Sequence, residues 1–237
     1  MNKWQGAWHI ARHELARGKI GSIITVLFSA YLVFTTFPLY DIPAEQPELS
    51  RNVLDFILLA VFPVLGFSFN RSTFRYWRED ICTHSLAQWR TMPIPVESIA
   101  LGRLLMLAIH LVPAAVLYFT ALYFAVPGLK EAYDVGPYIL GALFWLFYSL
   151  GVASVYLYYE LTLSGKRYTV VCFVVLFLFV AVAIGAGMAE LALVVGVFDA
   201  IQQGSWWYTA LALLFGAASL VGIGYNRLCA KLKARTF

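Results

Sequence analysis

Residues 20–40 read IGSIITVLFSAYLVFTTFPLY, an apolar stretch without a charged residue that ends before a cluster of acidic and proline residues. An α-helix needs about 20 apolar residues to cross the hydrocarbon core of a bilayer, so this stretch predicts a transmembrane helix. Further apolar stretches of similar length follow, and charged residues, Pro or Gly interrupt the chain between them. These predicted spans cover residues 53–70, 104–126, 137–159, 168–193 and 206–225.

The composition indicates a membrane protein with no separate soluble core. Of the 237 residues, 61% are hydrophobic and 13% are charged, whereas soluble domains have about 45–50% apolar and about 25% charged residues. Six spans of about 20 residues account for most of the apolar content. We therefore predict an all-α integral membrane protein, a six-span helical bundle that forms a single transmembrane domain over residues 1–237.

The basic residues divide unequally between the two sides of the predicted bundle. Fifteen of the 17 Lys and Arg residues fall in the N-terminal arm, the loops after the second and fourth spans, and the C-terminal tail. Only Arg51 and Lys130 fall in the opposite loops. Because Lys and Arg are retained on the cytoplasmic side, the pattern predicts a multi-pass protein of the cytoplasmic membrane with both termini in the cytoplasm. Anionic lipid at that face explains the basic balance, so no nucleic-acid partner is expected.

The N-terminal arm, residues 1–19, predicts an amphipathic helix that lies in the membrane interface. Its apolar side is formed by Trp4, Trp8, Ala11 and Leu15, which follow helical spacing. Arg12 and the neighbouring His and Arg side chains point elsewhere around the helix. Two interpretations stay open: an anchor on the membrane surface, or a surface that also contacts a cytoplasmic partner.

The segment between the second and third predicted spans, residues 71–103, is far longer than the roughly 2–8 residues that usually join neighbouring helices. Residues 79–91 contain neither Pro nor Gly and predict a short amphipathic helix. Pro93 and Pro95 end that helix, since the residue before a proline is disfavoured in the helical region. Val96 then begins the next helix, with Glu97 placed favourably near its N-terminal dipole.

The stretch before the sixth predicted span, residues 185–205, is apolar but repeatedly interrupted. The interruptions are Gly185, Gly187, Glu190, Gly196, Asp199 and Gly204. A charge near the middle of a membrane costs about 2.5–3.5 kcal/mol on insertion scales, so Glu190 is expected at the outer interface or in a pocket lined by protein. We predict re-entrant short helices here, which are tolerated only where protein covers the backbone.

Residues 83–105, THSLAQWRTMPIPVESIALGRLL, resemble the segment between the second and third spans of exporter-type (type-two) ABC transporter permeases. In that family a short cytoplasmic helix, a Leu/Met-Pro turn and a Gly-Arg pair open the third span. The motif covers residues 83–103. The N-terminal interfacial helix, the six spans and the re-entrant helices before the sixth span extend the resemblance in architecture over essentially the whole chain.

The resemblance implies that the short helix is a coupling helix, which sits in a groove of a separate ATP-binding ABC subunit. The implied contacts are Thr83, His84, Ser85, Leu86, Ala87, Gln88, Trp89 and Arg90. It also implies a second permease copy or homologue, with ATP and magnesium bound by the partner subunits, and a peptide, antibiotic or lipid-like cargo. The alternative for this segment is an interfacial helix that only pins two spans.

Nothing in the sequence predicts an enzyme. A phosphate-binding loop needs Gly-x-x-x-x-Gly-Lys-Ser/Thr, but around Gly165 and Lys166 the earlier glycine position is Glu160 and the next residue is Arg167. His110 has no second metal ligand at helical spacing, so we expect it to be hydrogen-bonded inside the bundle. We predict no catalytic residue, no metal site and no cofactor in this chain.

Other functions remain open at this level. A membrane-embedded substrate-binding subunit of a small-nutrient (vitamin-type) uptake transporter is also a small six-span bundle, and it is the main alternative to the exporter permease. An intramembrane enzyme is the third.

Overall fold

The computed structural model describes residues 2–41, 47–67 and 95–234, and within these ranges the chain is helical, with no strand. In chain order the helices are α1 (Lys3–Arg17), α2 (Lys19–Asp41), α3 (Pro47–Phe56), α4 (Val96–Ala125), α5 (Pro127–Ala132), α6 (Val135–Thr162), α7 (Gly165–Met188), α8 (Leu193–Gln202), α9 (Trp207–Ala218) and α10 (Leu228–Ala234). A π-helical and a 3-10 segment, Ile57–Val61 and Phe62–Gly66, continue α3. The π-helical segment Ser219–Arg227 joins α9 to α10. The all-α prediction is confirmed for these residues.

Five of the described helices are long and apolar enough to cross a membrane, as a multi-pass membrane protein requires. They are Lys19–Tyr40, Val96–Ala125, Val135–Thr162, Gly165–Met188 and Trp207–Ala234. The prediction of six spans is not confirmed. The predicted second span is described only as far as Phe67, and there the α-helix gives way to a π and then a 3-10 segment. Pro63, which lacks a backbone N–H, lies at the start of the 3-10 segment.

Several helix ends differ from the predicted bounds. Helix α4 begins at Val96, directly after Pro95, so Arg103 lies inside a helix and not in the preceding loop. Helix α7 keeps Gly185 and Gly187 inside it and ends at Met188. The reversal after α7 follows from Glu190, which has a φ of 57°. Between residues 185 and 205 only α8 is a separate short helix.

Helix α1 buries small residues against the bundle and leaves its two Trp side chains exposed. Trp4 and Trp8 are 65% and 53% exposed, whereas the buried side consists of Gly6, Ala7, Ile10 and Ala11. The small residues explain the difference, because they allow the backbone of α1 to approach α4 closely. The two Trp side chains are left outside the helix contact, where an apolar ring with a polar N–H suits a membrane interface.

Helices α4 and α6 form the centre of the bundle. They are the most buried candidate spans, with 44% and 39% of their apolar window inside the protein, against 11% for α7. Tyr118 and Phe119 of α4 pack against Phe62, with ring centroids 5.2 Å and 5.4 Å away. Helix α7 therefore lies at the periphery with most of its side chains uncovered.

Candidate functional site

The first turns of α4 contact α1, and the contact depends on a glycine. Ser98 donates a hydrogen bond from its Oγ to the carbonyl oxygen of Lys3, at 3.0 Å. A Cβ atom on Gly102 would lie 3.1 Å from the carbonyl oxygen of Ala7 and equally close to Ile10. Because glycine has no such atom, the two backbones approach closely and α1 is held against the beginning of α4.

Arg103 joins three helices at this end of the bundle. Its Nη1 donates to Glu14 Oε2 of α1 and its Nη2 donates to Glu160 Oε1 of α6, both at 2.9 Å. The Arg103 and Glu14 side chains are 18% and 23% exposed, and Glu160 is only 3% exposed. A guanidinium is a planar fork with fixed donors, so it holds two carboxylates in one arrangement. We call Glu14, Arg103 and Glu160 the Arg103 junction.

A second ion pair ties the C-terminal helix to the same place. Lys233 Nζ of α10 lies 2.6 Å from Glu97 Oε1, in the first turn of α4. The Lys233 side chain is 59% exposed, so this pair lies at the rim, in contact with solvent. The first two turns of α4 thus contact α1, α6 and α10 through side-chain bonds.

The predicted coupling helix lies next to this junction in the chain but outside the described residues, which resume at Pro95. The eight implied contacts, residues 83–90, therefore have no structural description. Of the predicted interfacial residues, Trp4, Trp8 and Arg12 are exposed and Leu15 is half-buried. Those that are exposed remain available to a membrane surface or a partner.

His110 is hydrogen-bonded inside the bundle, as predicted. Its Nδ1 lies 2.8 Å from the carbonyl oxygen of Met106 and its Nε2 lies 2.9 Å from Ser22 Oγ. Since a carbonyl oxygen only accepts, Nδ1 carries a proton. The histidine therefore links α4 to α2.

Helices α2 and α4 run in the same direction, because residues later in α2 contact residues later in α4. Ser29 donates to the carbonyl oxygen of Ala114 at 2.9 Å, and further along Tyr118 donates to Thr36 at 3.1 Å. Tyr138, near the start of α6, donates to the carbonyl oxygen of Phe119 at 2.8 Å. The end of α2, the end of α4 and the start of α6 consequently meet at the end of the bundle opposite the Arg103 junction.

At that opposite end a buried carboxylate caps the short helix α8. Asp55 is 1% exposed. Its Oδ2 accepts from the backbone N–H of Leu193 at 2.9 Å and its Oδ1 accepts from that of Val194 at 2.8 Å. The first N–H groups of a helix have no partner within it, and a negative charge is favourable near this terminus. We call these three residues the Asp55 clasp.

Further contacts hold the rest of α8. Tyr133 donates from its hydroxyl to Asp199 Oδ1 at 2.7 Å, and Gln202 donates from its Nε2 to Asp134 Oδ2 at 3.0 Å. Burial and the neighbouring Asp199 carboxylate raise the pKa of Tyr133, so the hydroxyl stays protonated and keeps donating. Phe198 stacks on Tyr138 with ring centroids 5.4 Å apart.

The turns on both sides of α8 use the left-handed region of the backbone. Before the helix, Glu190 has a φ of 57°, and after it Gly204 has a φ of 95°. A side chain rarely adopts this region, whereas glycine does so without penalty. The short helix is thus connected to α7 and α9 by tight turns and depends on side-chain contacts for its position.

The partners of Arg103 and the role of Asp55 were not predicted from the sequence. Signals for both were present: Arg103 follows the start of an apolar helix, and Asp55 is the one acidic residue in the stretch 53–67. A charge in such a stretch needs a partner. Which residue supplies it depends on how distant helices pack.

No metal site is formed by the described residues: within 2–41, 47–67 and 95–234 no group of three or more His, Cys, Asp and Glu side chains is placed to hold an ion. No protein-family model, no curated protein and no solved structure matches this chain.

Proposed function

We propose that this chain is the membrane-spanning permease subunit of an ATP-driven exporter of the ABC class, in which a separate subunit hydrolyses ATP. The single observation that carries the proposal is the construction of α4 at its beginning. The predicted coupling segment leads directly into a helix whose first turns are joined to α1 and α6 through Arg103. A displacement of that segment is therefore passed to several helices at once.

The proposed mechanism uses the Arg103 junction as the point where force enters the bundle. ATP-driven closure of the partner subunits pushes on residues 83–90, and α4 moves with α1 and α6 because Arg103 binds both. Lys233 adds α10 to the same group through Glu97. Two such permease subunits, identical or homologous, then rock against each other and expose the cargo pathway to alternate sides of the membrane.

The proposed topology has six spans, with the segment from Pro47 to Phe67 as the second. Thr25, near the start of α2, donates to the carbonyl oxygen of Phe67 at 3.4 Å. The segment that follows α2 thus returns along almost the whole length of that helix. At about 1.5 Å per residue, α8 is about 15 Å long, half the thickness of the hydrocarbon core. We assign it as a re-entrant helix on the outer side, with both termini of the chain in the cytoplasm of a cell-membrane protein.

Co-purification with the ATPase subunit tests the function. The proposal predicts an ATPase gene in the neighbouring reading frame, and a lone gene would weaken it. In the complex co-expressed with that ATPase, Leu86→Asp with Trp89→Asp is expected to abolish co-purification and transport-coupled ATP hydrolysis. Two buried carboxylates would have to enter an apolar groove without partners, which is strongly unfavourable. Membrane insertion, measured by membrane fractionation, is expected to be unchanged.

The matched control places the same two charges outside the eight implied contacts, in the turn between α8 and α9. Gln203→Asp with Ser205→Asp changes the net charge equally and is expected to retain the ATPase, since neither side chain is buried. Full co-purification and ATP hydrolysis in the Leu86 and Trp89 variant would remove the coupling assignment and favour the nutrient-uptake alternative.

The orientation is tested separately. In a chain with Cys82→Ser, a cysteine introduced as Ser85→Cys is expected to react with a membrane-impermeant maleimide only after the cells are opened. Reaction in intact cells would place the loop outside and would contradict both the orientation and the function.

A further inference from the structure

A cleft on the surface of the bundle lies where α6 turns into α7. It is an open depression of about 400 Å³, lined by Leu163, Lys166, Arg167, Val170 and Val171. Its lining is apolar, because Lys166 and Arg167 contribute the aliphatic parts of their side chains. The charge split of the sequence predicts that this turn faces the cytoplasm, so the cleft would open at the inner interface of the membrane.

The two cations in this cleft are uncommitted. Lys166 and Arg167 are both exposed, and neither forms an ion pair or a hydrogen bond with the described residues. Two cations near this end of the bundle are paired, since Arg103 binds two carboxylates and Lys233 binds Glu97. Arg227 and Lys231 are exposed like Lys166 and Arg167, but they lie outside the cleft. The exposed ends of Lys166 and Arg167 therefore carry positive charge beside the cleft that the described part of the protein does not neutralise.

An uncovered apolar stripe begins at the cleft and follows α7. Its members are Val170, Phe173, Val174 and Phe177, which are 52%, 55%, 63% and 68% exposed and follow helical spacing. Between Lys166 and Phe177 the helix rises by about 16 Å, close to the roughly 15 Å of hydrocarbon in one leaflet of a bilayer. The stripe thus has the length of an acyl chain, and the cations stand at its polar end.

We propose that this cleft binds one anionic phospholipid, with the phosphate between Lys166 and Arg167 and an acyl chain along the α7 stripe. Charge complementarity and length both favour this occupant. Basic pockets beside membrane helices bind anionic headgroups in this way. A protein partner would have to supply both an acidic group at the interface and an apolar surface below it. The proposal requires only that α7 crosses the membrane, and it is independent of the transporter function.

Lipid retention in the purified protein tests this site. Wild-type protein is reconstituted in phosphatidylcholine bilayers that contain phosphatidylglycerol, extracted in mild detergent, and analysed by native mass spectrometry. We expect one phosphatidylglycerol to be retained in preference to phosphatidylcholine. Each charge near the surface contributes on the order of 1 kcal/mol to such binding, so Lys166→Gln and Arg167→Gln should each weaken it about fivefold and the double variant about 25-fold.

Arg227→Gln with Lys231→Gln is the matched control. Both residues are exposed near the same end of the bundle and lie outside the cleft, so the net charge changes equally while the proposed site stays intact. This variant is expected to retain the lipid like the wild type. Because all four side chains are exposed, folding is expected to persist, and the unfolding midpoint in phosphatidylcholine checks it.

Four results would overturn the proposal. Equal retention of phosphatidylglycerol by the cleft variant and the wild type would show that the cleft is not the binding site. Equal loss of the lipid from the control variant would show that binding depends on net charge alone. Displacement of the lipid by inorganic phosphate would indicate an anion site without a lipid chain. Loss of the ATPase partner from the cleft variant, with the lipid retained, would instead assign the cations to a protein interface. The Leu86 and Trp89 variant, tested in the same lipid assay, should keep the phospholipid whether or not the transporter proposal holds.

Discussion

The Arg103 junction and the Asp55 clasp lie at opposite ends of the bundle and are built from different chemistry. At the junction, one guanidinium binds carboxylates from two other helices, so three long helices are fixed to each other by side chains. At the clasp, one carboxylate binds the backbone N–H groups of a single short helix. The junction joins α1, α4 and α6 to one another, whereas the clasp positions one short helix.

The surroundings sharpen this difference. The junction is continuous with long helices, and its close contact at Gly102 leaves little room for α1 to shift against α4. Helix α8 instead lies between two tight turns at Glu190 and Gly204 and has 10 residues. A helix of that length has little stability of its own. Release of a few contacts would therefore move α8 without disturbing the long helices.

The largest effect is expected at the junction. Arg103→Leu removes the cation that faces Glu160, whose side chain is 3% exposed. Removing one partner of a buried pair costs on the order of 3–5 kcal/mol, so the midpoint of denaturant unfolding in detergent should fall clearly. The double variant Arg103→Leu with Glu160→Gln should recover part of the loss, since no buried carboxylate then lacks its arginine. An unchanged midpoint in the single variant would contradict the assignment of the junction as a structural tie.

The clasp should respond with a smaller and more local loss. Asp55→Ala leaves the N–H groups of Leu193 and Val194 without their acceptor, and a buried unsatisfied group costs about 1–3 kcal/mol. Because Leu193 is only half-buried, its N–H costs less than a fully buried one, and we expect a total loss of about 2–4 kcal/mol. Faster hydrogen exchange should be confined to α8. Asp55→Asn keeps one acceptor oxygen, so its loss of unfolding free energy should lie between zero and that of Asp55→Ala. Exchange that rises equally in α1 and α4 would show that the two ends are not separable.

A glycine that packs against α8 allows the clasp end of the bundle to be perturbed without changing the Arg103 junction. A Cβ atom on Gly141 would overlap the ring of Phe198, so Gly141→Ala must displace that ring from Tyr138. Overpacking of this kind costs about 1–3 kcal/mol, and hydrogen exchange should again rise in α8. Gly196→Ala, on α8 itself, meets no atom within 4 Å and should instead stabilise by about 0.5–1 kcal/mol through helix propensity. Similar effects of both variants would contradict this packing.

The all-helical fold and most of the long apolar helices were predictable from sequence, because they depend on local composition. The start of α4 at Val96 followed from the prolines before it, which end one helix and allow the next to begin. The reversal at Glu190 was harder to locate. Glycines at 185 and 187 suggested an earlier break, but both remain in α7, where Gly187 lies against the Asn52 side chain.

The pairing of charged residues could not be predicted from the sequence, because it depends on contacts between distant segments. Arg103 and Glu160 are 57 residues apart in the chain, and Arg103 and Glu14 are 89 apart. The side of α1 that packs against the bundle also depends on distant contacts. Close packing against α4 selects small residues such as Gly6 and Ala7, and Trp4 and Trp8 stay exposed.

The smallest effect is expected at the rim of the junction, although its ion pair has the shortest distance. Lys233 and Glu97 are 2.6 Å apart against 2.9 Å for the bonds of Arg103, yet Lys233 is 59% exposed. Water and salt screen an exposed pair, and ordering a long side chain offsets much of its attraction. Lys233→Ala should therefore leave the unfolding midpoint within error of the wild type at both low and high salt. A fall in the midpoint comparable to that of Arg103→Leu would contradict this argument from exposure. The Lys233–Glu97 pair would then stabilise the fold as much as the bonds of Arg103 do.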